Sequence, residues 1–551
     1  MPAHSFSLVA RDLVRTRAGE PVLDHVSCAI TPGTRLGVVG PNGVGKTTLL
    51  RALAGIDAAD AGTVARTPTS LRVGYLPQVH EQRDDETVLE QLGRRSGATA
   101  ATLELERAAA ALGSGAAADD AYAVALDTYL ASGAADFDAR AHAVCDDLGL
   151  PRASLDAPTA TLSGGQAARV SLAAILLSRF DVFLLDEPTN DLDFAGLSRL
   201  EQFLDELPGG VVVVSHDRAF LARTVSRVLE LDEHTRGATE YGGGWQGYLD
   251  ARATARRHAE AAYSEYVDTR EQLQARARAQ RQWSVQGVSK AKRSPRDNDK
   301  AQRDFRVNAS ERNAAKVRIS EKALDRLEAV EKPWEGWELR FDVATAARSG
   351  DVVTRLDRAV VSRGAFRLGP LDLEIGWAER VAIVGPNGSG KTTLLHTILG
   401  RLPLESGDRF LGPGVVVGEL DQAREAFDGT ASLLDVFVES TGVLTADARS
   451  LLAKFGLGAE HVLRPAGTLS PGERTRAVLA RFAAQGVNCL VLDEPTNHLD
   501  LPAIEQLEQA LDSYDGTLLL VTHDRALLDE VRITRAIDAQ GRPVEVERRA
   551  G

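Results

Sequence analysis

The chain has 551 residues, 44% of them hydrophobic, and its 64 Lys+Arg against 78 Asp+Glu give a net charge of −14. That length supports two domains with full cores and a segment between them, and the acidic balance argues against a protein that coats nucleic acid over its whole surface. The three cysteines, Cys28, Cys145 and Cys489, are too scattered for a disulfide framework or a zinc site and read as small buried hydrophobes of a reducing cytosol.

The chain opens at Met1 to Leu8 without a basic or an apolar leader segment, and no run of eighteen apolar residues follows, so neither an export signal nor a membrane span is predicted. Alternating segments around Ser7 to Leu13 and Val22 to Ile30 predict an antiparallel sheet. The apolar strand Arg35 to Val39 then leads into Gly40-Pro41-Asn42-Gly43-Val44-Gly45-Lys46-Thr47-Thr48 ahead of a helix, which is the context a P-loop requires. Its glycines let backbone N–H groups close around the β- and γ-phosphates of ATP, Lys46 adds a cation and Thr47 reaches Mg²⁺.

Gly74-Tyr75-Leu76-Pro77-Gln78 comes next, followed by an Ala-rich stretch with helical spacing at Leu103, Ala110, Tyr122, Leu126, Tyr129 and Leu130. Leu162-Ser163-Gly164-Gly165-Gln166 precedes a predicted helix over Ala168 to Leu177. A short apolar run from Val182 then brings Asp186 and Glu187 to the end of a strand, where the first can hold Mg²⁺ and the second can polarise a water. A second apolar strand, Gly210 to Val214, ends at Ser215-His216-Asp217-Arg218.

All of this recurs. Strand Arg380 to Val384 precedes Gly385-Pro386-Asn387-Gly388-Ser389-Gly390-Lys391-Thr392-Thr393, and Gln422, Leu469-Ser470-Pro471-Gly472-Glu473, Asp493-Glu494 and Thr522-His523-Asp524-Arg525 follow in the same order. Lys391 lies 345 residues after Lys46 and Gln422 lies 344 after Gln78, whereas Ser470, Asp493 and His523 lie 307 after their counterparts. About 37 extra residues therefore sit between Gln78 and Leu162 and lengthen the helical part of the first copy, as a binding arm or only as a longer helix pair. An isolated histidine is more often structural than catalytic, but the repeated placement of His216 and His523 one strand after an Asp-Glu pair points to chemistry.

Between the copies the charge changes sign. Ala251 to Pro333 holds 20 Lys+Arg against 12 Asp+Glu, a surplus of +8, while the remaining residues carry −22. Its composition predicts two antiparallel helices, Asp250 to about Val285 and Asp299 to about Lys332, broken near Gly287 to Pro295 and each reaching roughly 50 Å from the body. The turn between them carries Lys290, Lys292, Arg293, Arg296 and Lys300, which suit phosphate backbones, with Trp283 available for stacking. A solvated coiled coil is the plainer alternative. Apolar heptad positions are sparse, however, and the basic surplus exceeds what solubility needs.

These motifs resemble the ATP-binding cassette superfamily, and the whole chain resembles its F subfamily. The resemblance implies an α/β fold with two tandem cassettes, residues 1–243 and 336–551, joined by a helical-hairpin linker, residues 244–335. It implies an ATPase whose cassettes dimerise head to tail, pairing Lys46 with Ser470 and Gly472, and Lys391 with Ser163 and Gly165. Gln78 and Gln422 would sense the γ-phosphate and Mg²⁺. Thr47 with Asp186, and Thr392 with Asp493, would hold the metal. His216 and His523 would position the attacking water for Glu187 and Glu494. At the position of the usual adenine-stacking aromatic stand Arg17 and Arg363, which leaves a stacked guanidinium and a solvated loop arginine both open. Leu-Ser-Pro-Gly-Glu also departs from the usual signature, which bears on hydrolysis at the Lys46 site.

For that subfamily the resemblance implies a cytoplasmic protein in the tRNA exit site of the ribosome, with its linker directed at the P-site tRNA, ribosomal RNA and the peptidyl transferase centre, released by hydrolysis. Members act as translation factors or dislodge macrolide, lincosamide, streptogramin, pleuromutilin or phenicol antibiotics. The alternatives are the ATPase subunit of a membrane drug exporter, which needs no basic hairpin, and a DNA-repair or chromosome ATPase, which usually shows zinc-ligand cysteines or far longer coiled coils.

Overall fold

A computed structural model describes residues 5–77, 86–293, 322–323, 348–364, 366–420, 424, 426–497 and 499–545, with residues 277 and 280–293 described in their backbone. Two compact units emerge, one made of Met1–Gln246 with Trp337–Gly551 and one of Gly247–Gly336.

The first unit contains the repeated architecture. In the first copy β1 (Ser7–Arg17) pairs antiparallel with β2 (Glu20–Ile30), and later with β4 (Ala61–Thr67), as the alternating pattern predicts. Between them come β3 (Arg35–Val39) and α1 (Lys46–Ala54); after them come β5 (Val73–Leu76), α2 (Val88–Ser96), α3 (Ala98–Ala110), α4 (Ala116–Ser132) and α5 (Phe137–Asp147). Then follow α6 (Gly164–Leu177), β6 (Val182–Asp186), α7 (Phe194–Glu206), β7 (Gly210–Val214), α8 (Arg218–Thr224), β8 (Arg227–Leu231) and β9 (Ala238–Gly242). The strands order β5-β6-β7-β3-β8-β9, parallel except for the β8–β9 hairpin. β6 and β7 are buried along their whole length, so their Val/Leu/Phe runs read as continuous apolar segments and not as alternation.

A single helix, α9 (Gly244–Arg293), runs out of the first copy. The second copy is β10 (Val352–Arg363), β11 (Phe366–Gly376), β12 (Arg380–Ile383), α10 (Lys391–Ile398), β13 (Ser406–Leu411), β14 (Val417–Glu419), α11 (Leu433–Thr441), α12 (Thr445–Lys454) and α13 (Ala459–Val462). It closes with α14 (Pro471–Gln485), β15 (Cys489–Asp493), α15 (Leu501–Asp512), β16 (Thr517–Val521), α16 (Arg525–Glu530) and β17 (Arg535–Ile537). Its parallel sheet orders β14-β15-β16-β12-β17, beside an antiparallel β11-β10-β13 sheet. The parallel sheet carries one core on each face. One centres on Leu490, Leu492, Leu518 and Leu520 with the helices, the other on Val381, Ile383, Leu519 and the antiparallel sheet.

The added residues of the first copy fall in α3 and α4, which pack on each other and leave Leu103, Val124 and Leu130 exposed. The linker corrects one expectation. Helix α9 begins at Gly244, not Asp250, and continues through Gly287 to Arg293, so Lys290, Lys292 and Arg293 lie on a helix and not in a turn. An interior glycine costs a helix only about 1 kcal/mol, and no proline stands between Gly244 and Pro295. Fifty residues of helix extend roughly 75 Å. Arg296, Lys300 and the second linker helix except Lys322 and Ala323 lie outside the described residues. Among the described residues no helix is long and apolar enough to cross a membrane.

An arginine opens the P-loop strand of each copy, half-buried at Arg35 and buried at Arg380. Arg35 donates to Leu204 O and Gly209 O, both at 2.8 Å. Arg380 donates to Leu511 O at 2.6 Å and Tyr514 O at 2.7 Å. Each guanidinium closes carbonyls that the end of α7 or α15 leaves without a helical partner. Arg380→Met should therefore cost roughly 2–4 kcal/mol of stability by stranding those carbonyls, read as a lowered urea midpoint.

Candidate functional site

Each P-loop glycine run bends into positive φ, at Gly40, Gly43 and Gly45 and again at Gly385, Gly388 and Gly390. Any side chain is barred at Gly45 and Gly390. A Cβ there would sit 2.8 Å from Val22 O in the first copy and 2.7 Å from the Phe366 ring in the second. The lysines hold their own loops open for phosphate: Lys46 Nζ donates to Gly40 O at 2.7 Å and Pro41 O at 3.0 Å, and Lys391 Nζ to Gly385 O at 2.9 Å and Pro386 O at 3.2 Å.

Glu187 and Glu494 follow the ends of β6 and β15 with φ of 49° and 47°, a left-handed backbone that costs a non-glycine residue about 1–3 kcal/mol. Neighbouring strands enforce it, Glu187 N donating to Val214 O and Glu494 N to Val521 O, each at 2.9 Å. His216 Nε2 stands 3.2 Å from Glu187 Oε1, and His523 Nε2 3.5 Å from Glu494 Oε1. Both Glu187 carboxylate oxygens are buried, with the His216 ring and backbone N–H beside them.

Burial sets the protonation states. Desolvation pushes Glu187 up to about 7 and Glu494 up to about 8, opposed by Lys46 and Lys391 and reinforced by Asp186 and Asp493. Desolvation, with the nearby lysine adding to it, drives His216 down to about 3 and His523 down to about 4, so both rings are neutral at pH 7. A base works ionised, and a raised value means the protonated share grows as pH falls. kcat/KM for ATP, which reports the free enzyme, should therefore rise about tenfold per pH unit below about 7 and flatten above about 8. A pH–rate profile of phosphate release checks this.

The metal test rests on the oxygen donors. Thr392 Oγ1 donates to Asp493 Oδ2 at 2.9 Å, and buried Asp186 accepts from Tyr75 at 3.1 Å, with the Thr47 hydroxyl also on it. A hydroxyl and a carboxylate beside a phosphate cradle fit Mg²⁺, which keeps its waters and takes phosphate oxygens. Glu419 stands at the Tyr75 position of the second copy, paired at 2.5 Å with Arg401.

The cassettes meet face to face. Asn387 N donates to Asp193 Oδ2 at 3.0 Å, Asn387 Nδ2 to Asp191 O at 2.6 Å, and Arg169 Nη2 to Asn387 O at 3.4 Å. A Cβ on Gly165 would lie 3.0 Å from the Asn387 Cβ, so a larger residue there would press the first signature against the second P-loop. A cavity of about 260 Å³ is lined there by Gly165, Asn387, Glu494 and His523. On the other side Asn42 N donates to Asp500 Oδ2 at 3.2 Å. The larger cavity around Lys46, about 810 Å³, takes Thr496 from the second cassette, and neither Ser470 nor Gly472 lines it. Gly165 of the first signature is thus brought against Asn387 of the second P-loop, while Ser163 caps α6 in a capping box with Gln166 and Ser470 likewise keeps to its own helix. There it caps α14 in a capping box with Glu473, and Pro471 takes the first helical position, which accommodates the unusual signature.

Arg17 lines the Lys46 cavity together with Arg15. Opposite Arg363 on the paired strand stands Phe366, the aromatic next to the second P-loop, which reading by position passed over. Gln78 and Gln422 lie outside the described residues. Asp193 and Asp500, and Arg218 and Arg525 of the post-strand motifs, carry no role in the sequence reading, although the 307-residue offset relates them in pairs.

The family model described as ABC transporter matches residues 23–190 and 368–497. The chain is 38% identical over 522 residues to the tylosin resistance ATP-binding protein TlrC of Streptomyces fradiae, covering 92% of each chain. It is 34% identical to the energy-dependent translational throttle protein EttA of Mycobacterium tuberculosis, covering 94% of this chain and 88% of that one. It is 30% identical to the ABC transporter F family member 5 of Arabidopsis thaliana, covering 95% and 73%.

Proposed function

Because the chain belongs to the F subfamily of ATP-binding cassette proteins and is an ATPase, we propose that it binds the tRNA exit site of the ribosome in its ATP form. There its linker acts on the P-site tRNA and the peptidyl transferase centre, and hydrolysis releases it. The carrying observation is full-length likeness to a translational throttle protein and to a tylosin resistance protein. The higher identity to the latter favours ribosome protection against such a drug over a general factor. The basic surplus of the linker supplies the phosphate-seeking surface, and the cytoplasm is where such a partner is met.

In this reading Lys46 and Lys391 bind the β- and γ-phosphates. Thr47 with Asp186, and Thr392 with Asp493, hold Mg²⁺, which offsets phosphate charge when bound. Ser163 and Gly165 close on the nucleotide at Lys391, and Ser470 and Gly472 approach that at Lys46 on closure. Neutral His216 and His523 orient a water, and Glu187 or Glu494 takes its proton. ATP stabilises the closed form, and loss of the γ-phosphate reopens it.

The test is co-sedimentation of the Glu187→Gln, Glu494→Gln chain with ribosomes, with and without ATP, across a salt series and beside membrane vesicles. ATP-dependent, salt-sensitive ribosome binding is expected. Binding to vesicles alone would move the protein to the drug-exporter class. Reversing charge at Lys292, Arg293 and Arg296 should weaken ribosome binding without lowering ribosome-free hydrolysis. Expression in a tylosin-sensitive bacterium, read as growth on the drug, separates protection from a general factor.

A further inference from the structure

Helices α7 and α15 each touch the opposite cassette at two points, and both points belong to the same nucleotide site. Asp500 caps α15 through Oδ1, which accepts from Ala503 N at 3.1 Å, and offers Oδ2 to Asn42 N of the first P-loop at 3.2 Å. Eight residues later, about 12 Å along the helix, buried Glu508 pairs with Arg218. Arg218 stands two residues after His216, whose ring lies against Glu187. The mirror arrangement is complete. Asp193 caps α7 through Gly196 N at 3.0 Å and accepts Asn387 N at 3.0 Å, while Glu201 accepts from Arg525 at 2.9 Å, two residues after His523.

We propose that α7 and α15 are reciprocal struts, and that the Arg218–Glu508 and Arg525–Glu201 pairs are positioning contacts through which each strut fixes the histidine of the opposite cassette relative to its P-loop. A pair that only glued the cassettes together could sit anywhere on their interface. These two sit where the strut can transmit a displacement of one histidine to the P-loop end of the same site and into its own cassette. The surroundings make the pairs consequential. Asp217 and Asp524, both half-buried, face this cluster with buried Glu201 and Glu508, and Arg223 shares Glu201 at 2.9 Å. Removing an arginine therefore leaves carboxylates facing one another in a site that water reaches poorly. Arg525 is held further by Ser198 Oγ at 3.0 Å and by the Phe194 ring, 5.7 Å from its guanidinium carbon, and Phe194 also packs edge-on against His523 at 5.3 Å. The proposal concerns hydrolysis by the chain itself and stands or falls apart from the ribosomal reading.

The experiment is ribosome-free ATP hydrolysis by the full chain, carried through a double-mutant cycle of Arg218→Met, Glu508→Met and both together. Each single variant is expected to lower kcat at least tenfold while KM for ATP moves less than threefold, because the P-loop contacts to nucleotide remain. The double variant is expected to lose no more than the worse single one. Parental kcat in the single variants, a loss carried by KM, or losses that multiply in the double variant would overturn the proposal. Should Arg218→Met fail to fold, the cycle runs on Arg525→Met and Glu201→Gln with the same expected split, and Arg218→Lys is expected to keep kcat closer to the parent than Glu508→Gln does.

Discussion

The Glu187→Gln, Glu494→Gln protein is expected to hydrolyse ATP about 10²–10⁴-fold more slowly than the parent, the usual contribution of a positioned general base, with ATP affinity unchanged. Three observations set that expectation. Both carboxylates are placed by a strained backbone that the adjoining strand enforces. Each faces a neutral histidine within 3.5 Å. Burial holds both near the point where a proton can be taken and returned at pH 7. Glutamine keeps the shape and, because the carboxyls already sit at about 7 and about 8, changes the local charge little. Phosphate release measured beside nucleotide binding checks it. An affinity loss as large as the rate loss would mean that the substitution had damaged the cradle, and the base would have to be sought elsewhere.

Lys46→Met and Lys391→Met should act on binding first. Each removes charge-assisted hydrogen bonds to phosphate worth about 1.5–3 kcal/mol, so the nucleotide dissociation constant should rise roughly 10–100-fold. A second effect separates these variants from simple loss of fit. Each lysine is the main charge holding its glutamate down. Without it the carboxyl stays protonated to higher pH, and the acid limb of the pH–rate profile should move upward. An unchanged limb would show that lysine and glutamate do not sense each other in the working enzyme.

The contrast between the two nucleotide sites bears on how the chain turns over. Gly165 of the first signature lies against the second P-loop, whereas at the first P-loop the described contacts come from Thr496 of the Asp-Glu-Pro-Thr loop of the second cassette and from Asp500, the cap of α15. Three departures from repetition fall at these sites: Tyr75 against Glu419, Phe194 against Leu501, and a glutamine-containing signature against one with proline and glutamate.

Much of this was legible in the residues themselves. P-loops, Asp-Glu strand ends and post-strand histidines are local patterns in which spacing alone fixes the backbone path. The strands Arg35–Val39, Val182–Asp186 and Gly210–Val214 begin and end where apolar runs and punctuation say they should. The repeat itself, with its 345- and 307-residue offsets, located the helical insertion before any coordinates. The linker was less legible. Glycine at 287 reads as a break, but a long helix carries a single glycine for about 1 kcal/mol.

What only the tertiary structure decided are the contacts between residues hundreds of positions apart. Arg218 with Glu508, Asn42 with Asp500 and Gly165 with Asn387 depend on how two cassettes face each other, and no local pattern encodes that. The same holds for protonation. The sequence names Glu187 and His216, but their raised and lowered pKa values come from desolvation by side chains brought over them from distant strands and helices. Motif chemistry is written in spacing along the chain. Its tuning is written in burial, which the chain acquires only when its elements pack.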